Sequence, residues 1–220
     1  IMALKQAGIE SYADIVLNHK MGADALQTIP ATKVDWSNHN QETCPKETVK
    51  VATKFTFPGR KHKYSDFEWN WTDFDGIDYN NQTGENAIFK FINKNWGAEV
   101  DDEYGNYDYL MGADLDFSNP RVVKECTDWA RWYLNFTHID GFRLDAVKHI
   151  DANFYRDWIK ELRSETKKEL FAVGEYWGTD VNKLHKYITE QMEICHYLMC
   201  HYITIYTMLQ EILILICLKY

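Results

Sequence analysis

The chain lacks an excess of positive charge, a Cys-x-x-Cys pair and a long apolar run, and each absence excludes a class of protein. Its 220 residues carry 24 Lys and Arg against 33 Asp and Glu, for a formal net charge of −9. Nucleic acids and anionic membranes reward basic patches, so both are disfavoured as partners. Five cysteines without Cys-x-x-Cys spacing give little support to a zinc site or a disulfide framework. The longest apolar stretch, ILILICL at 212–218, is too short to span a bilayer. Low-complexity sequence is missing too: with 45% hydrophobic and 26% charged residues the composition is that of a folded chain. The first ten residues, IMALKQAGIE, show neither a Met at position 1 nor a signal-peptide pattern. They read as the end of an amphipathic helix stopped at Gly8, so the sequence is expected to begin inside a domain.

What the chain has in quantity is aromatic residues, with eight Trp and fourteen Tyr. Most must serve a core, but they also suit a neutral ring-shaped ligand such as a sugar. After the first helix end comes SYADIVLNH (11–19), whose contiguous Ile15, Val16 and Leu17 predict a strand buried on both faces, as in a parallel sheet. From 20 to about 116 the character changes to Trp, Asn, Asp and Lys, with turn signals at FPGR (57–60), DGID (75–78) and EYGNYD (103–108). This stretch reads as an irregular, partly β insertion.

A regular rhythm follows over 117–190. Asn119-Pro120 opens a helix whose apolar face is Val122, Cys126, Trp129, Ala130 and Tyr133. HIDGFRLD (138–145) is a strand. Asp151 caps a helix burying Phe154, Tyr155, Trp158, Ile159 and Leu162. ELFAVGEYW (169–177) is the next strand, and TDVNKLHKYI (179–188) starts another helix. Units of roughly thirty residues alternating strand and helix are the βα repeat of an α/β sheet or barrel.

Three polar clusters then fall at the C-terminal ends of the predicted parallel strands: Asp14, Asn18 and His19; Arg143, Asp145, Lys148 and His149; and Glu175 with Tyr176 and Trp177. βα loops converge at that face of a barrel. An isolated R-x-D is most often a strand-capping salt bridge. Asp145 and Glu175, however, lie one βα unit apart and should face each other from adjacent strands. Two carboxyls so placed can divide labour at a glycosidic bond, one attacking the anomeric carbon and one protonating the leaving oxygen. Arg143, two residues before Asp145, should share its face and keep it ionised.

DIVLNH, GFRLDAVKH and the Glu of GEYW resemble three of the four signature regions of the α-amylase family of glycoside hydrolases. FTFPGR, YSDFEWNW, FDG and GNYDYLMGADLD are similar to the calcium-binding domain B of bacterial liquefying-type members. The resemblance implies an α/β fold, an incomplete (β/α)8 TIM barrel of about strands 3–5, with the inserted calcium-binding domain B. It divides the chain into a barrel fragment over 1–19, domain B over 20–116, a second barrel fragment over 117–190 and an aberrant tail over 191–220. It also implies retaining endo-hydrolysis of α-1,4-glucans such as starch, glycogen and maltodextrin by the intact relative, a monomer when complete.

Residue by residue, the resemblance makes Asp145 the nucleophile, Glu175 the general acid/base and Arg143 the nucleophile's partner. His19, Arg143, Lys148, His149 and Trp177 match substrate-contacting positions. Calcium, the implied cofactor, falls to Asn18, Asp108, Asp114 and the backbone carbonyl of His149, an all-oxygen shell that suits it. Gly97 and Ser118 stand where acids of a larger cation cluster often occur, while Asp75 and Asp116 remain, so one main cation is expected. Met111 matches a position near the cleft, where a thioether is open to oxidation.

The family's third carboxylate, in an N-H-D motif, is absent from the sequence, and strands one, two, six, seven and eight are not expected. Three strands cannot close a barrel, so the segment alone is expected to be inactive. Permitted codons for residues 191–206 also read, from their third nucleotide, as NGDMSLFDVPLHYNL, which resembles the family's segment entering strand six. The tail is therefore read as frameshifted, its three cysteines without functional message. The two body cysteines, Cys44 and Cys126, lean towards a reducing compartment, the cytoplasm, over secretion. Two rival readings stay open: another α-glucan hydrolase or transglycosylase, and a noncatalytic glucan- or calcium-binding remnant.

Overall fold

The computed structural model describes residues 1–191 and 197–200, of which 190, 191 and 197–200 by their backbone alone. The expected out-of-frame tail thus lies almost wholly outside the described residues.

The chain opens with helix α1 (Met2–Gln6), which ends as expected before Gly8, a residue with φ +71°. Strand β1 (Tyr12–Ile15) follows. It is shorter than the apolar run suggests: Ile15 and Leu17 are buried, but Val16 is 50% exposed. Within β1, Tyr12 and Asp14 are exposed while Ile15 is buried, so the strand does not bury both faces.

Seven strands come next: β2 (His19–Lys20), β3 (Ala25–Asp35), β4 (Asn38–Glu42), β5 (Glu47–Lys54), β6 (Phe74–Asn80), β7 (Glu85–Phe91) and β8 (Ala113–Leu115). They form one antiparallel sheet in the order β2-β8-β6-β7-β3-β4, with β5 pairing β3. DGID is no turn; it lies inside β6. Its Gly76 packs flat beneath Trp96, where an added Cβ would sit 2.8 Å from the indole, so the glycine marks close packing in a strand.

Helix α2 (Pro120–Thr137), β9 (Gly141–Leu144), α3 (Ala152–Thr166), β10 (Phe171–Tyr176), α4 (Val181–Lys186) and β11 (Tyr197–Cys200) complete the order. The Asn119 side chain caps α2 through the Arg121 amide, and Asp151 caps α3 through the Asn153 amide. Each supplies a partner to an otherwise unpaired helix-end donor. All five apolar residues predicted for α3 are buried. Burial of each such side chain contributes about 1.5–3 kcal/mol against exposure.

The second sheet is wholly parallel, in the order β1-β9-β10-β11. β11 was not expected from the sequence; its backbone completes the hydrogen-bonding edge of β10. Residues of both sheets share one core, with Phe142 and Leu144 from the parallel sheet and Ala31, Val49 and Phe89 from the antiparallel one. Polar contacts tie α2 to the segment before β6 as well, notably through Arg121, which pairs with the buried Asp73 and donates to the Glu68 carbonyl at 2.5 Å.

Candidate active site

The parallel register decides what meets at the strand ends. Asp14 of β1 pairs with Arg143 of β9, and Val173 of β10 pairs with the same Arg143. One further dipeptide step along β9 and β10 sets Asp145 beside Glu175 on neighbouring strands, which run about 4.8 Å apart. The Arg143 guanidinium lies among the acids: Nη1 is 2.8 Å from Asp14 Oδ1 and also bonds Asp145, while Nη2 is 2.8 Å from Glu175 Oε1. A planar fork of donors suits this bridging of separate carboxylates.

Just beyond Asp145, Ala146 takes φ +51°, a left-handed conformation that costs a residue with a side chain. The reversal turns the backbone into the short helical turn Val147–His149 and brings Lys148 and His149 back under the rim. Lys148, 4% exposed in its side chain, pairs with Glu103 at 2.7 Å and lies over the Tyr107 ring. His149 is buried, with Nδ1 2.7 Å from the Tyr107 carbonyl oxygen. A carbonyl only accepts, so Nδ1 carries the proton. Burial pushes the His149 imidazole down to about 4 against the pull of that hydrogen bond, leaving it neutral near pH 7.

A cavity of about 810 Å³ opens above these groups, lined by Asp145 and Glu175, by Lys148 and His149, and by Trp177 with Tyr104. Trp177 is 55% exposed, presenting ring surface to it. His19 does not line this cavity. Burial lowers the affinity of its imidazole for a proton, although the nearby charges of Asp145 and Asp78 oppose that. Met111 is exposed and it is Leu110 that reaches the cavity. Among the other histidines, His39 is enclosed by Trp96, Tyr104, Tyr107 and Tyr109, whereas His62 is exposed and bonds Asp66.

Behind the cavity lies a second polar cluster. Asn18 donates from Nδ2 to Asp114 Oδ1 at 3.1 Å, and carboxylate oxygens of Asp75, Asp108 and Asp114 all lie within 4.8 Å of one another. Asn18 Oδ1, Asp75 Oδ1 and Asp114 Oδ2 are buried without a hydrogen-bond partner. Burial, reinforced by the neighbouring acids, pushes Asp75 and Asp114 well above the usual carboxylate range. It carries Asp108 to about 7, although the Gly97 amide donates to its Oδ2 at 2.8 Å. Buried, unpaired oxygens facing one another fit a hard cation, which would satisfy them and remove their repulsion. Of the ligands expected from sequence, Asn18, Asp108 and Asp114 meet here. The His149 side chain bonds the residue immediately before Asp108, which brings this segment alongside. Asp75, present in the FDG signal but not in the expected ligand set, completes the cluster. Asp116 is instead engaged by the Lys94 ammonium.

The family model described as alpha amylase, catalytic domain, matches residues 1–204, and the chain belongs to this family. Its curated relatives include an alpha-amylase of Geobacillus stearothermophilus, 52% identical over 190 residues that make up 86% of this chain and 35% of the relative. A glucan 1,4-alpha-maltohexaosidase of Bacillus sp. (strain 707) is 47% identical over 191 residues, 86% of this chain and 37% of that protein. The chain thus spans little more than a third of the length of these relatives. Among solved structures, a cyclomaltodextrin glucanotransferase with a three-domain ABC distribution superposes with a TM-score of 0.50 at 19% identity, over 90% of this chain and 33% of that one, a likeness of fold. The family's catalytic domain is a (β/α)8 barrel; the described part here is a partial, mixed-sheet portion of it.

Proposed function

We propose that this chain carries the paired carboxylates of a retaining endo-hydrolase of α-1,4-glucans, with starch, glycogen or maltodextrin as substrate. The observation that carries the reading is the Arg143 fork joining Asp145 to Glu175 on adjacent strands, on the wall of a cavity that exposes Trp177. Carboxylates on adjacent strands fit the shorter separation of retaining enzymes, about 5–5.5 Å. The ionised Asp145 attacks the anomeric carbon while a proton on Glu175 passes to the leaving glycosidic oxygen. Water then displaces Asp145 from the glycosyl ester, giving its proton to Glu175, and the configuration is retained. Lys148 and His149, which line the cavity, serve the sugar hydroxyls, and Trp177 offers a stacking surface.

In this reading the segment from 20 to 116 is a calcium-binding domain B. Asn18, Asp75, Asp108, Asp114 and the backbone carbonyl of His149 hold the ion. When bound, calcium neutralises the buried acids and pins the antiparallel sheet to the strand ends.

The test is hydrolysis of soluble starch by the chain extended to the full length of its relatives, with reducing ends counted and the first-formed anomer read by proton NMR. Turnover with an α-anomeric product, abolished in Asp145→Asn and in Glu175→Gln, is the expected result, whereas the 220-residue segment alone is expected to be inactive. The buried, unpaired oxygens behind the cavity favour a second reading, a noncatalytic glucan- or calcium-binding remnant, which predicts ligand binding without turnover.

A further inference from the structure

Asp101 lies on the loop between β7 and β8, outside every signature motif, yet four separate segments of the chain close on it. Its side chain is 4% exposed. The Tyr176 hydroxyl, one residue beyond Glu175, donates to Oδ2. The Lys183 ammonium of α4 lies 3.1 Å from Oδ1 and 3.4 Å from Oδ2, and it also bonds Asp102. The Glu103 amide donates to Oδ1 at 2.8 Å. The backbone is held as firmly: the Asp101 amide donates to the Lys148 carbonyl at 2.9 Å, and the Tyr107 amide donates to the Asp101 carbonyl at 2.9 Å. Burial alone would favour the neutral acid, but the donors from Tyr176, Glu103 and Lys183 outweigh it and hold the carboxyl below its ordinary range.

These bonds converge on the parts of the site that chemistry needs in fixed relation. One carboxylate oxygen takes the residue that follows Glu175. The main chain takes the carbonyl of Lys148, three residues past Asp145. Lys183 and Asp101 both line the same cavity as the two acids. Bonds from a buried, ionised carboxylate are short, charge-assisted and directional, so they fix orientation as well as contact. Without them, the β10 end carrying Glu175–Trp177 and the turn carrying Lys148 keep only the strand pairing and the Arg143 bridge to set their relation.

We propose that Asp101 is a positioning residue: a latch from the antiparallel-sheet segment that sets the Glu175–Trp177 strand end against the Asp145–His149 turn. Its catalytic consequence rests on the glucan-hydrolase reading above; the latch itself does not.

Two variants test it in the full chain. Asp101→Asn keeps the shape and an acceptor for Tyr176 but loses the charge facing Lys183; Asp101→Ala loses both. On a soluble maltodextrin, Asp101→Ala should lower kcat by about 10²-fold, the scale of a misplaced catalytic group, with KM changed less than about threefold. Asp101→Asn should fall between it and the parent. Adding Tyr176→Phe to Asp101→Ala should cost nothing further, because the two act through one bond. Hydrogen exchange supplies a readout independent of turnover. In Asp101→Ala, amides of 99–108 and 174–184 should exchange faster together, while those of β3, β5 and β7 keep the parent's rates. A folded Asp101→Ala variant with kcat within twofold of the parent overturns the positioning role. Unchanged exchange over 174–184 overturns the latch. If the parent shows no turnover, as is expected of the segment alone, the exchange result alone decides the latch.

Discussion

Arg143 meets Glu175 through one guanidinium nitrogen, at 2.8 Å, while its other terminal nitrogen bonds Asp145 and Asp14. A single cation thus holds at once the two carboxylates to which the proposed reading gives different duties, and its side chain is itself only 19% exposed. Lysine retains the charge but is a point donor without the planar fork. Arg143→Lys should therefore leave the fold intact and lower kcat by about 10²-fold through misplacement of the two acids. Circular dichroism beside starch hydrolysis checks it; full activity in the folded variant would refute the bridging role.

The cluster of Asn18, Asp75, Asp108 and Asp114 gives a prediction independent of catalysis. If these oxygens hold a cation, calcium at a hundredfold excess over its Kd should stabilise the chain by about 2.7 kcal/mol, and a chelator should reverse the gain. Asp114→Asn removes a charge from the centre of the cluster. It should abolish the calcium-dependent rise in melting temperature while raising the melting temperature of the chelated protein, because one buried acid no longer repels its neighbours.

Much of this was legible in the sequence where one short-range pattern decides the outcome. The helix period places Phe154, Tyr155, Trp158, Ile159 and Leu162 on one face, and all are buried. Asp145 and Glu175 stand one βα unit apart, so a parallel register brings them together. What was not legible depends on partners far along the chain. Asp101 is bonded by residues 75 and 82 positions away, and nothing next to it in sequence announces that. Asp75 sits in a segment that resembles a turn, but Gly76 is there to admit Trp96 and the strand continues through it. Val16 is apolar like its neighbours, yet it stands just beyond the end of β1 and is exposed, which pattern alone does not encode.

Stability should depend on pH more steeply with calcium than without it. His149 is pushed from 6.5 to about 4 in the fold, so between those values the unfolded chain binds a proton that the folded one refuses. Its contribution is therefore present above about pH 6.5 and is lost as pH falls towards 4, by at most about 3 kcal/mol. Asp108 works the other way in the metal-free chain. Raised from 3.8 to about 7, it keeps its proton in the fold, and its contribution is lost as pH rises through that window. Calcium would ionise Asp108 and remove the opposing slope. Urea unfolding at several pH values between 4 and 7 should show a steep rise in stability with pH in calcium and a flatter curve in chelator. Identical curves would mean that Asp108 is not a ligand.

Gly97 ties the stoichiometry of that cation to a single missing side chain. Its amide donates to Asp108 Oδ2 at 2.8 Å, and a Cβ built on it would stand 2.7 Å from Asp108 Oδ1 and 3.3 Å from Val100 Cγ1. There is no room for a side chain here while Asp108 keeps its place. The other acid beside the cluster, Asp116, is paired with Lys94, whose ammonium also donates to the Thr72 carbonyl at 2.6 Å. Ser118 bonds the same Asp116 and offers no charge of its own. A second divalent ion would have to displace an ammonium and find ligands that Gly97 and Ser118 do not provide. Calorimetric titration should accordingly give one calcium per chain. Gly97→Ala should displace Asp108, lowering stability by about 1–3 kcal/mol through overpacking and weakening calcium binding by at least about tenfold. Two ions per parent chain would show that Asp116 leaves Lys94 for a metal. Unchanged affinity in Gly97→Ala would show that Asp108 moves without loss of the site.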